Sequence, residues 1–209
     1  MKRIISLTLS VLTVLGLVLS FSGCNKYKDE IVGKWRSKLN IAGLVNTELV
    51  QNEKTAKYIE DIQFAVKMYY VFGDDGVYET YIDSSEAQTA LEKYKTDVRA
   101  GMLKYFANEL DAKEDAVDEI LASAGSSVDA VVEKMFAGFV LDNVTAEFSA
   151  KGKYKVTEDK IYFSSSADED INDGSYITYG FTDTRLKLTE AFGDCDTAII
   201  TYPIYLMKQ

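Results

Sequence analysis

The 209 residues contain no histidine, two cysteines, one proline and one tryptophan. The missing histidine excludes the most. Ser-His-Asp and Cys-His nucleophilic catalysis, imidazole acid–base chemistry and zinc or copper sites built on imidazole all fall away. Any catalysis would have to run on carboxylates, lysine, tyrosine or a hydroxyl. Basic residues are also in deficit: 23 Lys and Arg stand against 33 Asp and Glu, a net charge of −10. An acidic domain repels nucleic acid and anionic lipid headgroups, so neither is expected as a partner of the domain itself. No phosphate-binding loop, nucleophile elbow or dinucleotide fingerprint is present, and no cofactor is expected.

One end of the chain is rich where the rest is not. Met1-Lys2-Arg3 is a short basic start, and Ile4 to Phe21 is an uninterrupted run of mostly apolar residues. A basic start, an apolar core and small residues before a cleavage point mark an export signal. The run is about long enough to span a bilayer, so its ending decides between a cleaved signal and a retained helix. Phe21-Ser22-Gly23-Cys24 resembles the lipobox of bacterial lipoproteins, with Phe21 where that motif most often carries leucine. The resemblance implies a signal peptide over 1–23, a lipid on Cys24 and a polar tether over 24–30. The domain would then lie outside the cytoplasm, anchored to the membrane. Residues 1–23 hold two basic and no acidic residues, so the chain behind them is more acidic still. With Cys24 acylated, Cys195 has no partner and no disulfide is expected. Cys195 lies in the acidic stretch Phe192-Gly193-Asp194-Cys195-Asp196, which keeps a thiol protonated and reads as a spectator.

Behind the anchor the hydrophobic period is first two, then between three and four, then two again. Trp35, Ser37, Leu39 and Ile41 alternate with charged or polar neighbours, the pattern of a half-buried strand. Ala42 to Asp61 reads as short helical turns. Phe64–Phe72 and Val77–Ile82 flank Gly73-Asp74-Asp75-Gly76, whose residues accept the positive φ of a tight hairpin. From Ala87 to Leu110 apolar residues recur at helical spacing, with Ser85 and Gln88 as a capping box. Further helices are expected over Ala112–Ala124 and Val128–Val140, placing an insertion of about three helices over 84–142. Strands follow over Phe148–Val156, Lys160–Phe163, Ser175–Phe181, Arg185–Phe192 and Ala198–Leu206, the last interrupted by Pro203. About eight strands joined mostly by short hairpins describe a mainly β chain, an antiparallel up-and-down barrel over 31–209 with the helices between strands three and four. Gly152 and Gly180 suit the coiling that closure needs, and an open sandwich is the alternative.

Gly33-Lys34-Trp35 opens the first strand in the way that G-x-W opens lipocalins and related calycins. The chain also looks like the lipocalin-like lipoproteins of gut bacteria, which join a lipobox, an early G-x-W, a hairpin such as Phe72–Tyr78 and a late strand with a basic tail such as Met207-Lys208-Gln209. The resemblance implies that Trp35 packs across the closed bottom of the barrel beneath a basic residue from the last strands. Thr182-Asp183 echoes a lipocalin T-D element, but Thr184-Arg185 departs from that pattern and leaves the covering residue unassigned.

A barrel of this size holds packed side chains or one small ligand. Tyr154, Phe163, Tyr179, Leu186 and Leu188 fall on the inward phase and form either the filling or the wall of a cavity. Glu190 shares the phase of Leu186 and Leu188; it points inward, where a carboxylate needs a partner, or meets water at the rim. The acidic loop Asp168–Gly174 misses calcium-loop register, since Gly174 comes one place late and Tyr179 stands where the bidentate glutamate belongs. It reads as a solvated loop, and no metal site is expected. The tyrosines could line a sugar- or aromatic-binding surface, but read more simply as strand formers with one wet end. Three functions remain open. The first is a non-enzymatic carrier or interaction protein, with a small apolar ligand bound by Tyr154, Phe163, Tyr179, Leu188 and Glu190, or an envelope protein met at the helical face. The second is a structural envelope lipoprotein with a filled barrel, and the third a hydrolase using a carboxylate pair.

Overall fold

The computed structural model describes residues 26–45, 53–193 and 200–209. Cys24, Cys195 and the apolar run before Cys24 lie outside the described residues, as does the expected start of the last strand at Ala198. Eight antiparallel strands close on themselves in simple sequential order: β1 Gly33–Asn40, β2 Ala65–Phe72, β3 Val77–Ile82, β4 Ala150–Val156, β5 Lys160–Phe163, β6 Tyr176–Thr182, β7 Arg185–Phe192 and β8 Ile204–Lys208. The sandwich alternative is therefore excluded. Every element of the barrel and its core lies within residues 26–209.

The two ends of the barrel differ in kind. At the narrow end the connections are tight. Gly73 N–H donates to Val77 O at 2.8 Å, and Gly76 adopts a φ of +84°. Asp75 Oδ1 accepts from Val77 N at 3.0 Å, so the turn's acid secures it locally. Asp183, at φ +53°, turns β6 into β7. Helix α1, Lys26–Ile31, closes this end, with Lys28 donating to Asp74 O. The segment expected to be a tether is thus helical from Lys26 onward and packs under the barrel.

Gly33 and Trp35 explain each other here. Trp35 is buried and its indole N–H donates to Ile31 O, the last carbonyl of α1, at 2.6 Å. The Lys208 ammonium lies 5.3 Å from the Trp35 ring centroid, and the two residues are register partners across β1 and β8. Gly33 has a φ of +133°, and a Cβ there would meet Lys208 Cε at 3.0 Å. The cover over the tryptophan is therefore Lys208; Arg185 at the start of β7 pairs instead with Met207.

All the long connections leave the other, wide end. Helices α2 Ala42–Val45 and α3 Glu53–Ile59 stand between β1 and β2. Between β3 and β4 come α4 Ser84–Glu109, α5 Glu114–Ser123, α6 Val128–Phe136 and α7 Leu141–Glu147. The insertion thus holds four helices rather than about three, and extends past residue 142. Its long helix starts two residues earlier than the Ser85 capping box implied: Asp83 is the N-cap, accepting from Glu86 N at 3.0 Å. Glu86 then reaches the outer face of β2, accepting from Lys67 Nζ at 2.6 Å and Tyr69 OH at 2.9 Å. The buried stripe Ala87, Leu91, Tyr94, Val98 and Met102 follows the expected helical spacing. Tyr94 stacks on Phe64 at 5.0 Å and meets Phe136 at 5.8 Å, giving the helices an aromatic centre beside the barrel. Arg99 joins α4 to its neighbours through Asp118 at 2.9 Å and Asp129 at 2.6 Å.

Two strand features needed a third dimension to read. Gly152 is required, because a Cβ there would sit 2.7 Å from Ser164 O and 2.8 Å from the Tyr78 ring, whereas one at Gly180 would meet nothing. Pro203 precedes β8 rather than interrupting it, and follows Tyr202 through a cis peptide.

Candidate functional site

The narrow half of the barrel is filled. Leu186 and Leu206 are fully buried. The Tyr154 hydroxyl donates to Gly73 O at 2.7 Å and that of Tyr179 to Thr157 O at 2.9 Å, so each buried phenol finds its acceptor in a hairpin of the closed end. Burial pushes both phenols up to about 12.

The wide half is not filled. A cavity of about 280 Å³ lies inside the wall there, near the lower bound for small-molecule sites. Its walls are Met68, Phe72, Phe163, Ile177, Leu188 and Ile200, and hydroxyl-bearing side chains stand among and above them. Phe163 holds the floor, edge-on to Tyr78 at 4.8 Å and tilted toward Phe72 at 6.5 Å. Among the described residues, no carboxylate, amine or guanidinium group lines this cavity, and no residue of α2 to α7 does either. The insertion flanks the mouth and does not roof it.

Hydroxyls lining the cavity have defined directions, because a carbonyl can only accept. Tyr78 OH donates to Ser164 O at 3.2 Å, Thr80 Oγ1 to Phe148 O at 3.1 Å and Ser164 Oγ to Ser166 O at 2.6 Å. Ser164 Oγ also accepts from Lys153 N at 2.8 Å, which locks the loop after β5 onto β4. The buried Tyr70 hydroxyl lies 3.2 Å from Met68 Sδ, and burial pushes its pKa well above the ordinary phenol range.

A second opening adjoins the first. β1 and β8 pair only at Trp35–Lys208 and Arg36–Met207, whereas β1 and β2 pair from Gly33 to Asn40. Beyond Arg36 the two strands part, leaving a lateral cleft of about 490 Å³ bounded by Ser37, Leu39, Ile204 and Tyr205. Met68, Tyr70 and Ile200 line both openings.

The five residues expected to meet a ligand separate into three groups. Phe163 and Leu188 line the cavity. Tyr154 and Tyr179 point into the barrel but belong to its filled end. Glu190 faces out, and the inward expectation is corrected by a bulge in β7. Thr178 pairs with Glu190 while the next residue, Tyr179, pairs with Leu188, so Thr189 is the extra residue. One added residue reverses the phase. Glu190 is therefore exposed, and Phe192 stacks on Tyr176 at 4.7 Å in an outer row with Tyr162.

Met68, Thr80, Ser164 and Ile200 escaped the sequence reading as cavity residues. Met68 carried a signal, since it keeps phase with Tyr70 and Phe72 along β2. In the loop Asp168–Gly174, Asn172 Oδ1 accepts from Gly174 N at 2.9 Å and its amide donates to Ser175 Oγ at 3.2 Å, so that side chain closes the loop on itself. Among the described residues no cluster of metal-binding side chains occurs, and no helix is long and apolar enough to cross a membrane. Compared with known protein families, with curated proteins and with solved structures, the chain matches none.

Proposed function

We propose that the protein is a membrane-anchored, extracytoplasmic, lipocalin-like lipoprotein that binds a small apolar molecule in the wide end of its barrel and performs no catalysis. The observation that carries this reading is the apolar cavity of about 280 Å³ in the unfilled half of a closed barrel. A closed narrow end beneath an open wide end is the shape of a cup, and burying an apolar solute in it is favoured by roughly 25 cal/mol per Å² removed from water. The anchor rests on Met1–Cys24, whose basic start, apolar run and small residues before a cysteine fit an exported lipoprotein acylated at Cys24. With α1 beginning at Lys26, little chain would separate such a lipid from the barrel's closed end. The cup would then open away from the membrane.

The structural-lipoprotein reading draws its support from the filled narrow half around Tyr154, Tyr179 and Leu186, and an envelope protein meeting the helical insertion would belong to it. The hydrolase reading needs a carboxylate pair facing one cleft. Asp61 and Asp97 do line a shallow cleft beside α4, but Asp97 is ion-paired with Lys93 at 2.5 Å. Native mass spectrometry of the chain from Asn25, purified without detergent, tests the carrier. A co-purifying small molecule, released when the protein is denatured, is the expected result. Protein that carries nothing and also fails to bind a panel of lipophiles would overturn it.

A further inference from the structure

We infer that the cavity selects an uncharged apolar molecule bearing a hydrogen-bond donor, such as a long-chain alcohol, and rejects the carboxylate of the same chain length. The inference rests on the cavity being a ligand site and names the chemistry of what it takes.

The first ground is charge. No cationic side chain stands among the described residues that line the cavity. An ionised carboxylate taken into such walls loses its hydration and gains no counter-charge, a cost of several kcal/mol in proteins. The chain's net charge of −10 opposes the approach of an anion as well.

The second ground is hydrogen-bond polarity. Tyr78, Thr80 and Ser164 each donate their hydroxyl proton to a backbone carbonyl, of Ser164, Phe148 and Ser166 respectively. Thr80 therefore meets a ligand as an acceptor, whereas Ser164 Oγ already accepts from Lys153 N and Tyr78 has a further partner. Ser175 and Tyr202, which also line the cavity, have interaction partners of their own. A carboxylate only accepts, whereas an alcohol both donates and accepts. The alcohol is matched to Thr80, whose proton is given to Phe148 O, and the carboxylate is not. Thr80 fixes the ligand's orientation, with its chain against Phe163 and Leu188 and its hydroxyl at Thr80 Oγ1.

The test compares 1-decanol, decanoate and decyl methyl ether by calorimetry on the chain from Asn25, at about pH 8, where a carboxylate is ionised. The alcohol is expected to bind more tightly than decanoate by about tenfold or more, and more tightly than the ether, which has no donor. Thr80→Lys places a cation at the mouth and should raise decanoate affinity by about tenfold; its thermal transition checks that the barrel is intact. Decanoate binding as tightly as decanol to the unaltered protein would overturn the selectivity and leave the carrier standing. An ether equal to the alcohol would overturn the donor requirement. Failure of all three probes to bind would overturn the carrier and this inference together.

Discussion

Lys208 on the last strand covers Trp35 on the first, with its ammonium 5.3 Å from the indole centroid. The contact spans the seam where the barrel closes, and that seam is short: Trp35–Lys208 and Arg36–Met207 are its only register pairs. The same lysine lies over Gly33, which explains the side chain missing there. Indole, ammonium and glycine form one local device that holds the chain's two ends together at the narrow end.

Lys208→Ala should lower stability by about 0.5–2 kcal/mol through loss of the cation–aromatic contact, and Lys208→Arg should retain most of it. Gly33→Ala should cost more than about 1 kcal/mol, because alanine must adopt an unfavourable positive φ and displace Lys208 as well. Urea denaturation followed by Trp35 fluorescence reads both effects. Equal stability of Lys208→Ala and the unaltered protein would remove the seam contact from the account.

Much of the barrel was legible because its residues obey simple periods. Trp35 and Ser37, or Leu186 and Leu188, are buried in alternation with half-buried or exposed neighbours, and Gly73–Gly76 carries its own turn chemistry. Features that break a period were hidden. Of the two readings of Glu190, the inward one fails because a single inserted Thr189 leaves no compositional mark while reversing every later side chain. α7 was missed because Leu141–Glu147 is short and mixes β-branched and polar residues, so tertiary packing of Leu141 and Thr145 holds it. Lys208 and Trp35 are at opposite ends of the sequence, and only closure brings them together. The cavity was least legible of all. Whether inward aromatic residues fill a barrel or wall a void depends on where their hydroxyls find acceptors, and Tyr154 and Tyr179 find them in the narrow-end hairpins.

The bulge makes a sharp contrast between neighbours. Glu190→Ala should change stability by no more than about 0.5 kcal/mol, as for any exposed side chain. Leu188→Ala, two positions away, should cost about 2–5 kcal/mol, because it deepens a cavity in the wall. Deleting Thr189 should remove the bulge and leave Glu190 outward, as the residue after inward Leu188 in a regular strand, so Glu190→Ala should stay near neutral in that background too. Denaturant midpoints of these variants check the assignment, and a large loss in Glu190→Ala would contradict it.

High pH should open the narrow end. The Tyr154 and Tyr179 phenols have an ordinary value of 10.0 and are raised to about 12, chiefly by burial. Below the ordinary value both are neutral whether the chain is folded or not, so their contribution is fully present. Above it the unfolded chain ionises first, and stability falls as pH rises through the folded value. The urea midpoint should therefore decline over that interval while phenolate absorbance from these two rings lags behind that of the exposed tyrosines. Tyr154→Phe should flatten the decline, and should be less stable at neutral pH by about 1 kcal/mol through loss of the bond to Gly73 O. An unchanged alkaline profile would mean that this ring does not report on the closed end.

Ala150 offers a way to stop the cup without harming its walls. It is the first residue of β4, it is exposed, and it borders the cavity at the wide end. Ala150→Trp adds a large ring at the mouth while leaving Phe163, Ile177 and Leu188 as they are. Because the site already meets solvent, stability should change by no more than about 0.5 kcal/mol. Binding of 1-decanol should fall by about tenfold or more, since the ring competes for the volume the ligand would occupy. Thermal melting and calorimetry on the same sample separate the two effects. A folded Ala150→Trp variant that binds 1-decanol as tightly as the unaltered protein would place the ligand elsewhere, with the lateral cleft between β1 and β8 the next opening to block.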